Sequence, residues 1–252
     1  MRRKVIAGNW KMYKNRDEAI SFIYEVSSQV PSKDQVETVI CAPAIFLRDL
    51  VKREGEDLRI GAQNMYFEDQ GAYTGEISAD MLTSYGVEYV VLGHSERRGL
   101  FFETDELINK KTKQAIKKGI TPIVCCGESL ETREAGTTEA FVSKQIIAAY
   151  EGISKEEALK TIVAYEPIWA IGTGVTATSE QANDTIKMVR QTLASLYDQD
   201  AASQIRILYG GSVKPANVEE LLAMSDIDGA LIGGASLDPQ SFITLAKAGL
   251  KS

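Results

Sequence analysis

The sequence predicts a closed eight-stranded parallel (βα)8 barrel. Eight short apolar runs have strand character, helical periodicity lies between them, and the chain has 252 residues. That gives a mean repeat of about 32 residues, the length of one strand–helix unit with its loops. Regular strand–helix alternation means a parallel sheet with crossover helices. An open doubly wound sheet is the alternative, because periodicity does not report closure.

The apolar runs begin near Lys4, Glu37, Leu58, Glu88, Ile120, Thr161, Ile205 and Asp228. Most are nearly continuous, as in Val39-Ile40-Cys41-Ala42 and Ile123-Val124-Cys125-Cys126. Strands covered on both faces read this way. The clearest helix starts at Thr178, which forms a capping-box pattern with Gln181. Its apolar positions Ala182, Ile186, Val189, Leu193 and Leu196 follow helical spacing. Another helix is expected from about Glu103 to Lys118, stopping at Gly119, and a last one after Pro239, stopping near Gly249. No Gly/Ser/Pro-rich linker divides the chain, so residues 1–252 are expected to form one catalytic domain.

Composition narrows the function classes. The hydrophobic fraction is 44% and the charged fraction 25%, ordinary for a globular protein. The formal charge is −7, and no run of Lys or Arg marks a nucleic-acid face. An acidic protein that binds an anion needs a locally positive site. Cys41, Cys125 and Cys126 are odd in number, and the last two are adjacent on a strand, so they point to opposite faces and suit packing better than a bridge. The apolar stretch after Met1 ends at Asn9, too early for a leader, and no window is long enough to span a membrane. A cytoplasmic location is expected.

In such a barrel the site lies at the carboxyl ends of the strands. There the sequence carries Gly8-Asn9-Trp10-Lys11 after the first strand, Gly93-His94-Ser95-Glu96 after the fourth and Glu166-Pro167-Ile168-Trp169 after the sixth. Gly210-Gly211-Ser212 follows the seventh and Gly233-Gly234 the eighth. Three ends thus supply a cation, an imidazole and a carboxylate. Each has a plain alternative: a solvated lysine, a hydrogen-bonded structural histidine, a helix-capping carboxylate. Paired glycines are commonly turns, but two pairs ending consecutive last strands fit a phosphate held by bare backbone N–H groups.

Other motifs lead nowhere. Gly172-Thr173-Gly174-Val175-Thr176-Ala177 has the letters of a dinucleotide fingerprint, yet it does not turn directly from strand to helix. One histidine and two adjacent cysteines do not make a metal-ligand pattern, so no metal and no cofactor are expected.

Taken in series, Asn9-Trp10-Lys11-Met12, Gly93-His94-Ser95-Glu96-Arg97-Arg98, Ala164-Tyr165-Glu166-Pro167-Ile168-Trp169-Ala170-Ile171-Gly172-Thr173-Gly174, Tyr209-Gly210-Gly211-Ser212-Val213 and Leu231-Ile232-Gly233-Gly234-Ala235-Ser236 resemble the motifs of the triosephosphate isomerase family, in the family's order. The resemblance implies a glycolytic and gluconeogenic isomerase that interconverts dihydroxyacetone phosphate and D-glyceraldehyde 3-phosphate. It implies Glu166 as base, His94 as electrophile and Lys11 as fixed positive charge. Asn9, Lys11, Gly172, Ser212, Gly233 and Gly234 would bind substrate, and Glu96 would support them. A helix starting at Ser95 would keep His94 neutral. Residues 167–177 would form a lid that excludes water. Two residues depart from the family pattern: Phe102 stands where Gly is usual, and Val175 where many relatives have Lys.

Two other readings remain open: an aldolase using Lys11 as a Schiff base, and a barrel that binds without turnover. The segment Met65–Glu76 carries three aromatics and a methionine, too apolar for a free loop. It either folds back on its own barrel or docks on a partner. In the family it enters a second subunit, which implies a homodimer with Thr74 close to the partner subunit's Asn9, the partner's Lys11 and the partner's Glu96.

Overall fold

The computed structural model describes residues 2–171 and 176–251. Gly172, Val175 and the tip of the expected lid lie outside the described residues. The strands are β1 (Lys4–Asn9), β2 (Val36–Ala42), β3 (Leu58–Ala62), β4 (Tyr89–Leu92), β5 (Thr121–Cys126), β6 (Ile162–Tyr165), β7 (Arg206–Tyr209) and β8 (Gly229–Ile232). Each pairs in parallel with its sequence neighbours, and β1 closes on β8 with Val5 opposite Gly229. The closed barrel is therefore correct and the open sheet is not.

The strand period of two sorts residues into two cores. Inside the barrel lie Val5, Ala7, Val39, Cys41, Tyr89, Val91, Ile123, Cys125, Ile162, Ala164, Leu208 and Leu231. Their neighbours, including Ile6, Ile40, Val124, Cys126, Val163 and Ile207, face the helices. Cys125 and Cys126 thus sit in different cores, and all three cysteines are free and buried. Continuing the inward parity past each strand end reaches Asn9 after Ala7, Glu166 after Ala164, Gly210 after Leu208 and Gly233 after Leu231. The barrel's own alternation aims these four residues at the axis.

The amino end of the barrel is closed by charge. Glu37 accepts from Tyr89 Oη at 2.7 Å and from Arg206 Nη1 at 2.5 Å, and pairs with Arg3. Burial pushes the Glu37 carboxyl upward, but Arg206, Tyr89 and Arg3 outweigh it and hold it below the usual range. This end is sealed, which leaves the carboxyl end for chemistry.

Helices follow the sequence signals closely. Thr178 and Gln181 form the capping box of the helix Ser179–Leu196, with Ala182, Ile186, Val189 and Leu193 fully buried. Leu196, in the last turn, is instead exposed. The helix expected from Glu103 starts at Asp105, because Thr104 is the cap: its side chain accepts from Leu107 N. Glu103 is drawn inward, where it accepts from Arg97 Nε at 2.6 Å and pairs with Lys111. Gly119 ends that segment with φ +75°, and the last helix spans Pro239–Ala248.

Phe102 has φ +56° and is 80% exposed. A left-handed backbone costs a residue with a Cβ about 1–2 kcal/mol. Phe102→Gly is therefore expected to stabilise the fold by up to about 1 kcal/mol, partly offset by the freer unfolded chain. Denaturant unfolding measures it. A loss of stability instead would mean that Phe102 makes contacts a lone chain does not show, and the strain account would fail.

Candidate active site

A cavity of about 260 Å3 opens at the carboxyl end of the barrel. Asn9, Lys11, His94, Glu166, Ser212, Gly233 and Gly234 all line it. These are the residues singled out at the strand ends, and closure of the sheet brings them together from β1, β4, β6, β7 and β8.

Lys11 sits in a left-handed backbone conformation, φ +51°. Strain of this kind persists only where neighbours hold it. Asn9 Oδ1 accepts from Lys11 N at 3.0 Å, and Gln63 Nε2 donates to Lys11 O at 2.9 Å and to Cys41 O at 3.1 Å. The Lys11 ammonium meets Glu96 Oε1 at 2.7 Å.

His94 caps the helix Ser95–Leu100, and its Nδ1 accepts from Glu96 N at 3.3 Å. An acceptor nitrogen carries no proton, so the proton sits on Nε2, which donates to Glu166 Oε1 at 2.9 Å. The helix start was expected to keep His94 neutral. Burial does push its pKa down, but the Glu166 carboxylate outweighs burial and the net direction is upward. That upward push depends on where Glu166 rests.

Glu166 is buried, at 1% exposure. Its carboxylate also accepts from Ser95 N at 2.9 Å and Ser95 Oγ at 3.0 Å. Burial raises its pKa, yet His94 and Ser95 together bring it below the ordinary carboxylate value, so the group is held as an anion. Two glycines make room for it. A Cβ on Gly127 would lie 1.8 Å from Glu166 O, and one on Gly210 would lie 2.9 Å from Glu166 Cγ. Neither position admits a side chain.

Sequence reading overlooked several supports. Ser95 was seen only as a helix start, yet it holds the carboxylate. Gln63, the residue after β3, continues its inward parity and clasps Lys11. Glu128, just past β5, is fully buried and accepts from Tyr165 Oη and Trp169 Nε1, each at 3.0 Å. The rule used at five strand ends would have found Gln63 and Glu128 had it been applied to β3 and β5. The Glu128 carboxylate, also paired with Arg133 at 3.3 Å, ties together Tyr165, just before Glu166, and Trp169, three residues after it.

A second groove lies behind Lys11, lined by Met12, Gln63, Asn64, Glu76, Glu96 and Phe101, among others. Its wall carries exposed apolar side chains: Met12 at 94% and Phe101 at 62%. The loop Met65–Glu76 folds back in part on its own chain. Met65 is buried, and Tyr66 stacks with Phe67 and Tyr73 at ring distances of 4.3 and 4.6 Å. Residues 68–76 are exposed, but Tyr73 lies on Tyr66 and Asp69 accepts from Gln114 Nε2 and pairs with Lys118 Nζ, each at 2.7 Å.

The model of the triosephosphate isomerase family matches residues 4–249. The chain is also 56% identical to the triosephosphate isomerase of Lactiplantibacillus plantarum over 246 residues, 97% of this chain and 98% of that protein. The chain belongs to the triosephosphate isomerase family. It is an isomerase that interconverts dihydroxyacetone phosphate and D-glyceraldehyde 3-phosphate, the step shared by glycolysis and gluconeogenesis. The family reaction moves a proton between adjacent carbons, and a carboxylate, an imidazole and a lysine line one cavity here. Among the described residues no helix is long and apolar enough to cross a membrane.

Proposed function

We propose that Glu166 is the base, His94 the electrophile and Lys11 the fixed cation of this isomerisation, with Asn9, Ser212, Gly233 and Gly234 binding substrate. Glu166 takes the carbon-bound proton, and the C–H electron pair becomes the C=C bond of an enediolate. The carbonyl oxygen takes up the negative charge. His94 Nε2–H and the Lys11 ammonium stabilise it there. His94 hands its Nε2 proton to that oxygen and takes the proton of the neighbouring hydroxyl, so the negative charge moves to the second oxygen. As Glu166 returns the carbon proton to the neighbouring carbon, the second oxygen closes the new carbonyl, and atoms and charge balance without a cofactor.

The observation that carries this reading is the Glu166 resting place, 2.9 Å from His94 Nε2. A carboxylate on the histidine that polarises the carbonyl occupies the oxygen's own partner. It must swing off His94 and Ser95 to reach a substrate carbon. Once it leaves, the main upward push on His94 goes with it, while burial and the helix start both favour the neutral imidazole. The donor is then neutral as the carbonyl arrives. A coupled assay with D-glyceraldehyde 3-phosphate tests the activity directly.

The aldolase reading is disfavoured by the 2.7 Å ion pair of Lys11 with Glu96, since an ammonium is no nucleophile. All the chemistry above is supplied by side chains. Exhaustive dialysis against a chelator is therefore expected to leave turnover unchanged. Loss of activity that a divalent ion restores would overturn the mechanism.

The same reading extends to assembly. The chain acts as a single domain over residues 1–252, in the cytoplasm, as a homodimer. The exposed tip of the Met65–Glu76 loop enters the groove behind Lys11 in a second copy. Support comes from the apolar rim of that groove and from its shared wall with the active site, where Lys11 and Glu96 meet. A Thr74 side chain seated there would buttress the pair that fixes the catalytic ammonium.

A further inference from the structure

We infer that Lys214 is the second cation of the site, drawing the substrate phosphate into the cavity and holding it beside Ser212. The inference rests on the phosphate placement proposed above.

The chain carries a formal charge of −7, so its overall field repels a phosphate dianion. Capture therefore needs local positive charge. The lysines lining the cavity are Lys11 and Lys214, and no arginine lines it among the described residues. Lys11 is already engaged by Glu96. Its stem passes Gly233, where a Cβ would meet Lys11 Cε at 3.4 Å, and its ammonium is turned to Glu96. Lys214 follows Ser212 by two residues and is exposed, with no ion pair among the described residues.

The loop that carries Lys214 is not a loose surface segment. Asn217 binds it from both sides. Asn217 Oδ1 accepts from Lys214 N at 2.8 Å, and Asn217 Nδ2 donates to Ser212 O at 3.1 Å. Lys214 O accepts from the amides of Asn217 and Val218, each at 3.1 Å. Ser212 and Lys214 are thereby fixed relative to each other, and the ammonium swings on a stem whose root is rigid.

The phosphate keeps its charge throughout the reaction. A cation that holds it stabilises substrate and transition state alike, so removing it shows in KM and not in kcat. Two phosphate charges and one ammonium at about 6–8 Å in a near-aqueous medium correspond to a several-fold effect. Screening reduces that effect once the Debye length falls to about 8 Å.

The experiment compares Lys214→Ala, Lys214→Glu and Lys214→Arg with the parent at low and high ionic strength, using D-glyceraldehyde 3-phosphate as substrate and inorganic phosphate as inhibitor. At low ionic strength Lys214→Ala should lower kcat/KM about threefold to tenfold, with the loss in KM and a parallel weakening of phosphate inhibition. Lys214→Glu should lose more, Lys214→Arg should come within about twofold of the parent, and the differences should shrink with added salt. Unchanged KM and phosphate inhibition in Lys214→Ala, or a loss confined to kcat, would overturn the inference. Gly234→Val separates it from the underlying reading, because a Cβ at Gly234 meets nothing of the protein within 4 Å, and circular dichroism checks that the variant is folded. If Gly234→Val weakens phosphate inhibition and Lys214→Ala does not, the lysine inference alone fails. If neither does, the phosphate placement fails and takes the inference with it.

Discussion

Glu166→Gln is expected to lower kcat by about 10²–10⁴, the usual worth of a positioned general base, while phosphate inhibition stays close to that of the parent. The amide keeps the shape of the carboxylate. Its single oxygen can take the place of Oε2 and accept from Ser95 N, held at 2.9 Å in the parent, while its NH2 in the place of Oε1 can donate to Ser95 Oγ, held at 3.0 Å. What it loses is the basic lone pair and the charge. The effect is therefore chemical, and the cavity that binds phosphate through Ser212, Gly233 and Gly234 is left intact. Steady-state kinetics with a circular dichroism control separates the two. A variant within tenfold of the parent kcat would remove Glu166 from the role of base and leave His94 as the next candidate.

Replacing Met65 through Glu76 by a short polar turn should give a folded monomer with little activity. Two consequences are expected together, because the groove behind Lys11 shares a wall with the active site. Sedimentation should move from dimer to monomer. Turnover should fall at least tenfold, since a lysine held with φ +51° needs every neighbour that restrains it. One internal risk is visible: Met65 is fully buried and Tyr66 N donates to Ile77 O at 2.8 Å, so deleting the stem could unfold the lone chain. A second variant, Thr74→Arg, changes only the exposed tip and leaves the stem in place. It should disrupt association by steric and charge mismatch without touching the barrel core. A parent chain that sediments as a fully active monomer at assay concentration would refute the dimer. A monomeric Thr74→Arg variant with full activity would refute the coupling of assembly to catalysis.

Much of the active site was legible because strand periodicity carries directional information. Val5, Ala7 and Asn9 share one parity, as do Ile162, Ala164 and Glu166. A reader who knows only that the strands are buried on both faces can still place the residues beyond their ends. The glycines at 210 and 233 fall on the same inward positions, and their pairing at the ends of two consecutive strands is what set them apart from ordinary turns. Helix boundaries were legible where a cap and an apolar stripe agreed, as at Thr178. The boundary shifted at Glu103, where a buried ion pair with Arg97 and Lys111 competes for a residue that local pattern assigns to the helix.

By itself the sequence determined the eight strands, their order, the family and the chemical identity of the strand-end residues. Periodicity and composition encode which face of each element is buried, and that requires no knowledge of neighbours. The tertiary structure alone decided closure, through Val5 opposite Gly229. It alone showed the rest position of Glu166 on Ser95, 71 residues earlier in the chain, and the clasp of Gln63 on Lys11, 52 residues away. It also reversed the expected push on His94, because the helix start is a local feature while the Glu166 carboxylate arrives from another strand. Such contacts depend on barrel curvature and strand register, which set distances of a few ångströms between segments far apart in the chain. A one-dimensional pattern carries faces and order, but not those distances.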